Sequence, residues 1–281
     1  MLKKSDLELL EQAVAIEEQA AKEAGALGFM ARAMVQATMP HSKPATNEYE
    51  RRNGNYILTM WSPSKVGLPY GSIPRLLLAW ISTEAVRTQD RTLLLGDNLS
   101  GFMRQLGMVP KSGRGDSTVR LKNQMERLFS CAISCRETVK GGVILTNLTI
   151  ASTVNLWWDP KSPDQAALWD STLKLNDDFY HELIRHPIPI DLRALKALKK
   201  SPLAIDVYCW LSYRMSYLQG PVVIPWALLA TQFGADYNRL RAFKEAMGEV
   251  LRQVLTVYPG ARAEPTDKGL KISPSKTHVI R

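Results

Sequence analysis

The sequence predicts an α+β chain, mainly helical, in which tandem winged-helix domains follow an N-terminal helical arm. Three observations carry this. The order helix, strand, helix, turn, helix, hairpin can be traced twice along the chain. Its 281 residues suffice for two ordinary domains, each burying its own core. The formal net charge of +9 is unevenly placed: residues 1–50 carry more acid than base, so the positive charge is concentrated beyond them. The division that follows is an acidic helical arm and linker (1–54), a first winged-helix domain (55–154), a Trp-rich connector (155–177) and a second winged-helix domain (178–281).

In the arm, Ser5, Asp6, Leu7 and Glu8 have capping-box spacing ahead of a helical pattern that puts Leu7, Leu10 and Val14 on one face. A second helical stretch covers 26–37. Pro40, Pro44, Asn47 and Gly54 mark 40–54 as a linker, leaving the arm for self-association, such as a homodimer, or for a partner.

The first module opens with the alternating strand 56–61. Ile73 and Pro74 start an apolar helix running to residue 88, with proline in its first turn. A brief strand (92–95) precedes a helix capped by Asp97, and 107–115 form a turn. The basic helix 116–129 comes next, then a hairpin of 131–137 and 143–150 around Lys140, Gly141 and Gly142. The connector, with Pro160, Pro163, Trp157, Trp158 and Trp169, suits packing against both modules.

The second module repeats this outline. Helices are predicted at 179–186, 192–199 and 202–218, with a short extended piece at 188–190. A strand at 222–224 precedes a short helix that begins at Pro225 and Trp226. Gly234 turns the chain, Asp236 caps a long helix to residue 254, and 256–263 with 270–272 form the hairpin around Thr266, Asp267, Lys268 and Gly269.

A charge of +9 and a pI near 9.5 favour a polyanionic partner. The longest apolar run, Leu76 to Ile81, is far short of the roughly 20 residues that span a bilayer. The N-terminus interleaves acids with apolar residues, as no secretory segment does, so the expected location is the cytoplasm. Cys131, Cys135 and Cys209 are odd in number. Cys131 and Cys135, read on one strand, stand about 13 Å apart, too far for a disulfide. All three read as core thiols.

Two helices present candidate DNA-reading faces. On 116–129, Leu121, Met125 and Leu128 recur at i, i+4, i+7 and point inward, while Arg120, Asn123 and Arg127 project from the other side. Arginine pairs bidentately with guanine and asparagine with adenine in the major groove of double-stranded DNA. Lys111, Gly113, Arg114 and Gly115 form a glycine-rich basic turn suited to phosphates. A solvated helix face fits the same residues. The C-terminal helix has the longer stripe, Leu240, Phe243, Met247, Val250, Leu251 and Val254, and recognition helices make base contacts near their N-terminal ends. Tyr237, Asn238, Arg239, Arg241 and Lys244 are therefore the leading candidates. Tyr237 also reads as a packing residue, and Glu245 either accepts from cytosine or supports Arg241 across one helical turn. Lys268 and Lys271 lie on the wing. The run Arg193, Lys196, Lys199 and Lys200 suits phosphate or plain solubility.

No G-x-x-x-x-G-K-[ST] loop is present, and His181 and His186 stand about 140° apart around a helix rather than on one face. No His-x-His pair precedes a tyrosine as in nicking initiators. A non-enzymatic protein without cofactor or metal is expected. The tryptophans, set among apolar residues or beside prolines, read as packing rather than as stacking platforms for single strands.

Four stretches, GLPYGSIPRLLLAW (67–80), NLWWDP (155–160), DLRALKALK (191–199) and SPLAIDVYCWLSYRMSY (201–217), resemble the plasmid-encoded RepA replication initiator family, with similarity from about residue 56 to 272. The resemblance implies an initiator that binds repeated origin sites, helps open adjacent AT-rich DNA, and recruits the host replication initiator and replicative helicase. It also implies that the C-terminal helix is the main reader, supported by Arg120, Asn123 and Arg127. A plasmid-borne transcriptional repressor would share the same DNA-binding surface.

Overall fold

The computed structural model describes residues 4–111, 116–159, 161–168, 170–234 and 237–279. Helices take 42% and strands 24% of them, so the fold is mixed, where mainly helix was expected. Ser5 (as regards its side chain), Gly113, Arg114, Gly115, Pro160, Trp169 and Asp236 lie outside what is described.

The chain begins with α1 (Lys4–Glu18), β1 (Leu27–Ala31), α2 (Arg32–Gln36), β2 (Glu48–Asn53) and β3 (Tyr56–Trp61). α1 turns Leu9, Ala13 and Ile16 to the core and leaves Leu7, Leu10 and Val14 about half exposed, the reverse of the predicted face. The stretch read as a linker contains β2, which pairs antiparallel with β3 across a turn at Gly54 (φ +57°). The stretch 26–37, read as one helix, is a buried strand followed by a short helix.

The first unit comprises α3 (Ser72–Thr88), β4 (Thr92–Leu94), α4 (Leu99–Gln105), α5 (Ser117–Phe129), β5 (Ala132–Val139), β6 (Gly142–Thr149), β7 (Ala151–Asn155) and β8 (Thr172–Leu175). The Asn98 side chain, not Asp97, caps α4 by accepting from the Gly101 amide at 2.7 Å. The hairpin β5–β6 extends an antiparallel sheet of order β2-β3-β5-β6, and β4 joins a separate sheet of order β4-β8-β7. The connector thus supplies a strand to the first unit. Trp158 packs on Phe102 (5.2 Å between ring centroids), and the Ala167 amide donates to the Asp97 carbonyl.

The second unit follows with α6 (Asp177–Arg185), β9 (Pro187–Asp191), α7 (Leu192–Ala197), α8 (Pro202–Met215), β10 (Val222–Pro225), α9 (Trp226–Phe233), α10 (Leu240–Val257), β11 (Arg262–Pro265) and β12 (Gly269–Ser273). Its sheet has the order β10-β12-β11. α10 runs three residues beyond its predicted end, so the hairpin begins later than the predicted residue 256. β1 pairs antiparallel with β9, which ties the N-terminal segment to this unit.

α3 and α8 are the most deeply buried helices, and one ion pair joins them. Arg75 is 2% exposed and spends all five of its N–H donors: two on the Asp206 carboxylate at 2.7 Å, and the others on the Met39, Pro40 and Gly71 carbonyls. His41 Nε2 lies 2.8 Å from Asp206 Oδ2. Burial pushes the Asp206 carboxyl up, but the Arg75 guanidinium and the hydrogen bonds from His41 and Arg75 outweigh it and hold the group below the usual carboxylate range. Burial likewise raises the thiols of Cys209, Cys131 (to about 12) and Cys135; all three cysteines are free and buried.

Candidate nucleic-acid interface

α5 begins where the Asp116 carboxylate accepts from the Thr118 and Val119 amides, at 2.7 and 3.3 Å. The Thr118 hydroxyl and these amides hold its carboxyl below the usual range. Leu121, Met125 and Leu128 are buried, as their spacing predicts, and Val119, Arg120, Lys122, Asn123 and Glu126 face solvent. Arg127 is turned back onto its own fold. Its Nε donates to Asn123 Oδ1 (2.7 Å), its Nη1 to the Leu68 carbonyl (3.2 Å), and the guanidinium lies over the Tyr70 ring. Gly67, at φ +80°, makes room for it: a Cβ there would collide with the guanidinium. Arg120 and Asn123 line a groove of about 500 Å³ with Val119, Tyr70, Lys199 and Lys200.

In the second unit Arg239, at the N-cap of α10, has extended backbone and no side-chain cap. Tyr237, Asn238 and Arg239 therefore precede the helix rather than forming its first turn. Tyr237 is partly buried against Phe243 (5.8 Å, edge-on), the packing arrangement. Asn238, Arg239, Leu240 and Arg241 are exposed, which removes Leu240 from the predicted inward stripe, while Phe243, Met247, Val250, Leu251 and Val254 are buried in it. Arg241 Nε pairs with Glu245 Oε1 at 3.0 Å; with the two side chains 90% and 67% exposed, such a pair contributes only about 0.3–0.5 kcal/mol and is readily exchanged for another partner. Lys244 sits over the Trp226 ring at 5.7 Å. On the hairpin, Lys268 is exposed at the turn and Lys271 pairs with Glu264 at 2.8 Å.

The run from Arg193 to Lys200 is used by the fold. Arg193 chelates Asp191 and donates to the Ala15 and Gln19 carbonyls at the C-terminal end of α1 (3.0 and 2.8 Å). Lys199 Nζ donates to the Gly107 carbonyl, and Lys200 pairs with Glu8. Burial, and then Lys199, lower the Lys196 pKa. These residues dock α1 and the turn after α4. Arg193→Ala is expected to weaken the docking of α1 by on the order of 1.5–3 kcal/mol, the worth of hydrogen bonds to a charged group. Hydrogen exchange would show it as faster exchange in 4–18 with α8 unchanged; equal acceleration in both would refute a local role.

Sequence reasoning missed Arg75 and Asp206, although each stands as a lone charge in an apolar run. Trp158, Trp210 and Trp226 are buried, as packing residues would be, whereas Trp157 is 54% exposed. Among the described residues no group of three or more His, Cys, Asp and Glu is placed to hold a metal ion, and no helix is long and apolar enough to cross a membrane.

The fold is similar to that of domains 2 and 3 of RctB. One crystal structure of those domains superposes with a TM-score of 0.54 at 12% identity, over 86% of this chain and 95% of that one. Another, RctB 155–483, gives 0.52 at 14%, over 85% and 96%. At such identities the likeness concerns the fold. No curated protein matches the chain in sequence. The class of protein is that of the plasmid replication initiators. The chain belongs to the plasmid-encoded RepA family, whose model matches residues 68–226, more than half of the chain. The match ends at the start of α9, so the candidates on α10 and its hairpin lie outside it.

Proposed function

We propose that the chain is a non-enzymatic initiator that binds repeated double-stranded DNA sites at a plasmid origin through two winged-helix modules, 55–154 and 178–281. Bound there, it promotes opening of adjacent AT-rich DNA and brings the host initiator and replicative helicase to the origin in the cytoplasm. The observation that carries the reading is the second unit. α8, β10, α9, α10 and the β11–β12 hairpin follow in winged-helix order with sheet order β10-β12-β11, and Asn238, Arg239 and Arg241 crowd the exposed end of α10 with Lys268 on the wing. The first module departs from the pattern, since β4 pairs with β8 rather than with the hairpin. It offers Arg120 and Asn123 as supporting contacts, with Arg127 holding Asn123 in place.

Footprinting of the purified chain on its plasmid tests the reading: protection of repeats of about 20 base pairs beside an AT-rich stretch supports it, and protection of no defined segment ends it. A single protected palindrome over a promoter would turn it towards repression. Arg241→Ala is expected to lower affinity for the selected site by about 1–3 kcal/mol and to relax preference at one base pair. Equal weakening on random DNA would make Arg241 a phosphate contact.

A further inference from the structure

Both outward-facing helices break the pattern of their polar surface in the first turn. Val119, in the first turn of α5, is 54% exposed and is followed by Arg120; Leu240, the first residue of α10, is 43% exposed and is followed by Arg241. Each aliphatic residue is therefore followed by an exposed arginine at the helix end nearest the bases in recognition helices. Neither completes a core: the inward stripes are filled by Leu121, Met125 and Leu128 in one helix, and by Phe243, Met247 and Val250 in the other. A single exposed aliphatic residue on a surface is ordinary. What sets these two apart is that each is followed by an exposed arginine in the first turn of an outward-facing helix.

The major-groove edge of DNA carries one apolar group, the thymine methyl, and side chains that touch it are themselves apolar. We infer that Val119 and Leu240 are specificity-determining residues, each packing on the methyl of a thymine adjacent to the base addressed by Arg120 or Arg241. The inference rests on the reading of the chain as a double-stranded-DNA binder and names what each helix selects: a thymine beside an arginine-contacted base.

The test uses the full chain and its site selected from a random pool, with each thymine replaced in turn by deoxyuridine, which removes only the methyl group. One thymine under each module is expected to lose affinity about fourfold on replacement, the worth of one methyl kept from water. Val119→Ala should abolish the sensitivity at one of these positions and Leu240→Ala at the other, each leaving the second position sensitive. Affinity unchanged at every replaced thymine, or sensitivity that survives both substitutions, would overturn the inference while leaving DNA binding intact. Failure to select any site would instead overturn the underlying reading, and the inference with it.

Discussion

Arg75→Ala is expected to destabilise the protein by about 3–5 kcal/mol, the range for removing one partner of a buried ion pair. The size follows from what is left behind. Asp206, 9% exposed, would keep its charge with only His41 beside it, and the buried Met39 and Pro40 carbonyls would lose their donor, as would the partly buried Gly71 carbonyl. Urea unfolding should show a lower midpoint at unchanged slope. Replacing both partners by apolar residues, Arg75→Met with Asp206→Leu, should recover much of the loss, because no charge is then stranded. A single variant within about 0.5 kcal/mol of the parent would show that the pair is dispensable to the packing of α3 on α8.

The fold responds to acid in two stages, first at His278 and then at Asp206. His278 stacks on Tyr258 at 4.5 Å and lies edge-on to Tyr208, whose hydroxyl is 2.8 Å from its Nδ1; burial lowers its pKa to about 4. With the folded value below the unfolded one of about 6.5, the unfolded chain binds the proton first. This contribution is complete above about pH 6.5 and is lost as pH falls towards 4. Asp206 follows: its folded pKa is also depressed, so its contribution is present above an unfolded value of about 3.9 and disappears below that. Acid unfolding followed by tyrosine fluorescence should begin earlier than in His278→Phe, which carries no proton to bind.

The elements that sequence alone revealed were those whose physics is local. The stripe Leu121, Met125, Leu128 repeats at helical spacing within one helix, and the order of α8 to β12 follows from proline starts, glycine turns and strand runs. The elements it concealed are settled by residues far away in the chain. α1 has apolar residues at helical spacing on two faces, Leu7, Leu10 and Val14 on one and Leu9, Ala13 and Ile16 on the other, and periodicity cannot choose between them. The partners that choose are on α7 and α10. β1 reads as helix because five apolar and small residues look alike in either state, until β9 supplies its hydrogen bonds. For the candidate interface, composition identified the basic residues but not their employment. Arg193, Lys199, Lys200 and Arg127 meet carbonyls and a carboxylate from 59 to 192 residues away, whereas Arg120, Arg239 and Arg241 meet nothing distant among the described residues.

That division of the cations sets the response of DNA binding to salt. Lys111, Arg120, Lys122, Arg239, Arg241 and Lys268 are exposed around the two helix ends and the wing. With Arg120 and Arg241 addressing bases, the other four, each neutralising one phosphate, should make the affinity fall with a log-log slope of about −3.6, more than a hundredfold between 50 and 200 mM salt. Cations already engaged in the fold should add little, because releasing them from carbonyls and carboxylates offsets what a phosphate would return. Titrating a fluorescent duplex carrying the selected site at four salt concentrations measures the slope. Lys122→Gln and Lys268→Gln should each reduce it by about one, and Arg127→Gln should leave it nearly unchanged. A flat response would remove the electrostatic basis of the interface, and a slope that fell equally for Arg127→Gln would mean that this side chain leaves Leu68 and Tyr70 to join the phosphates.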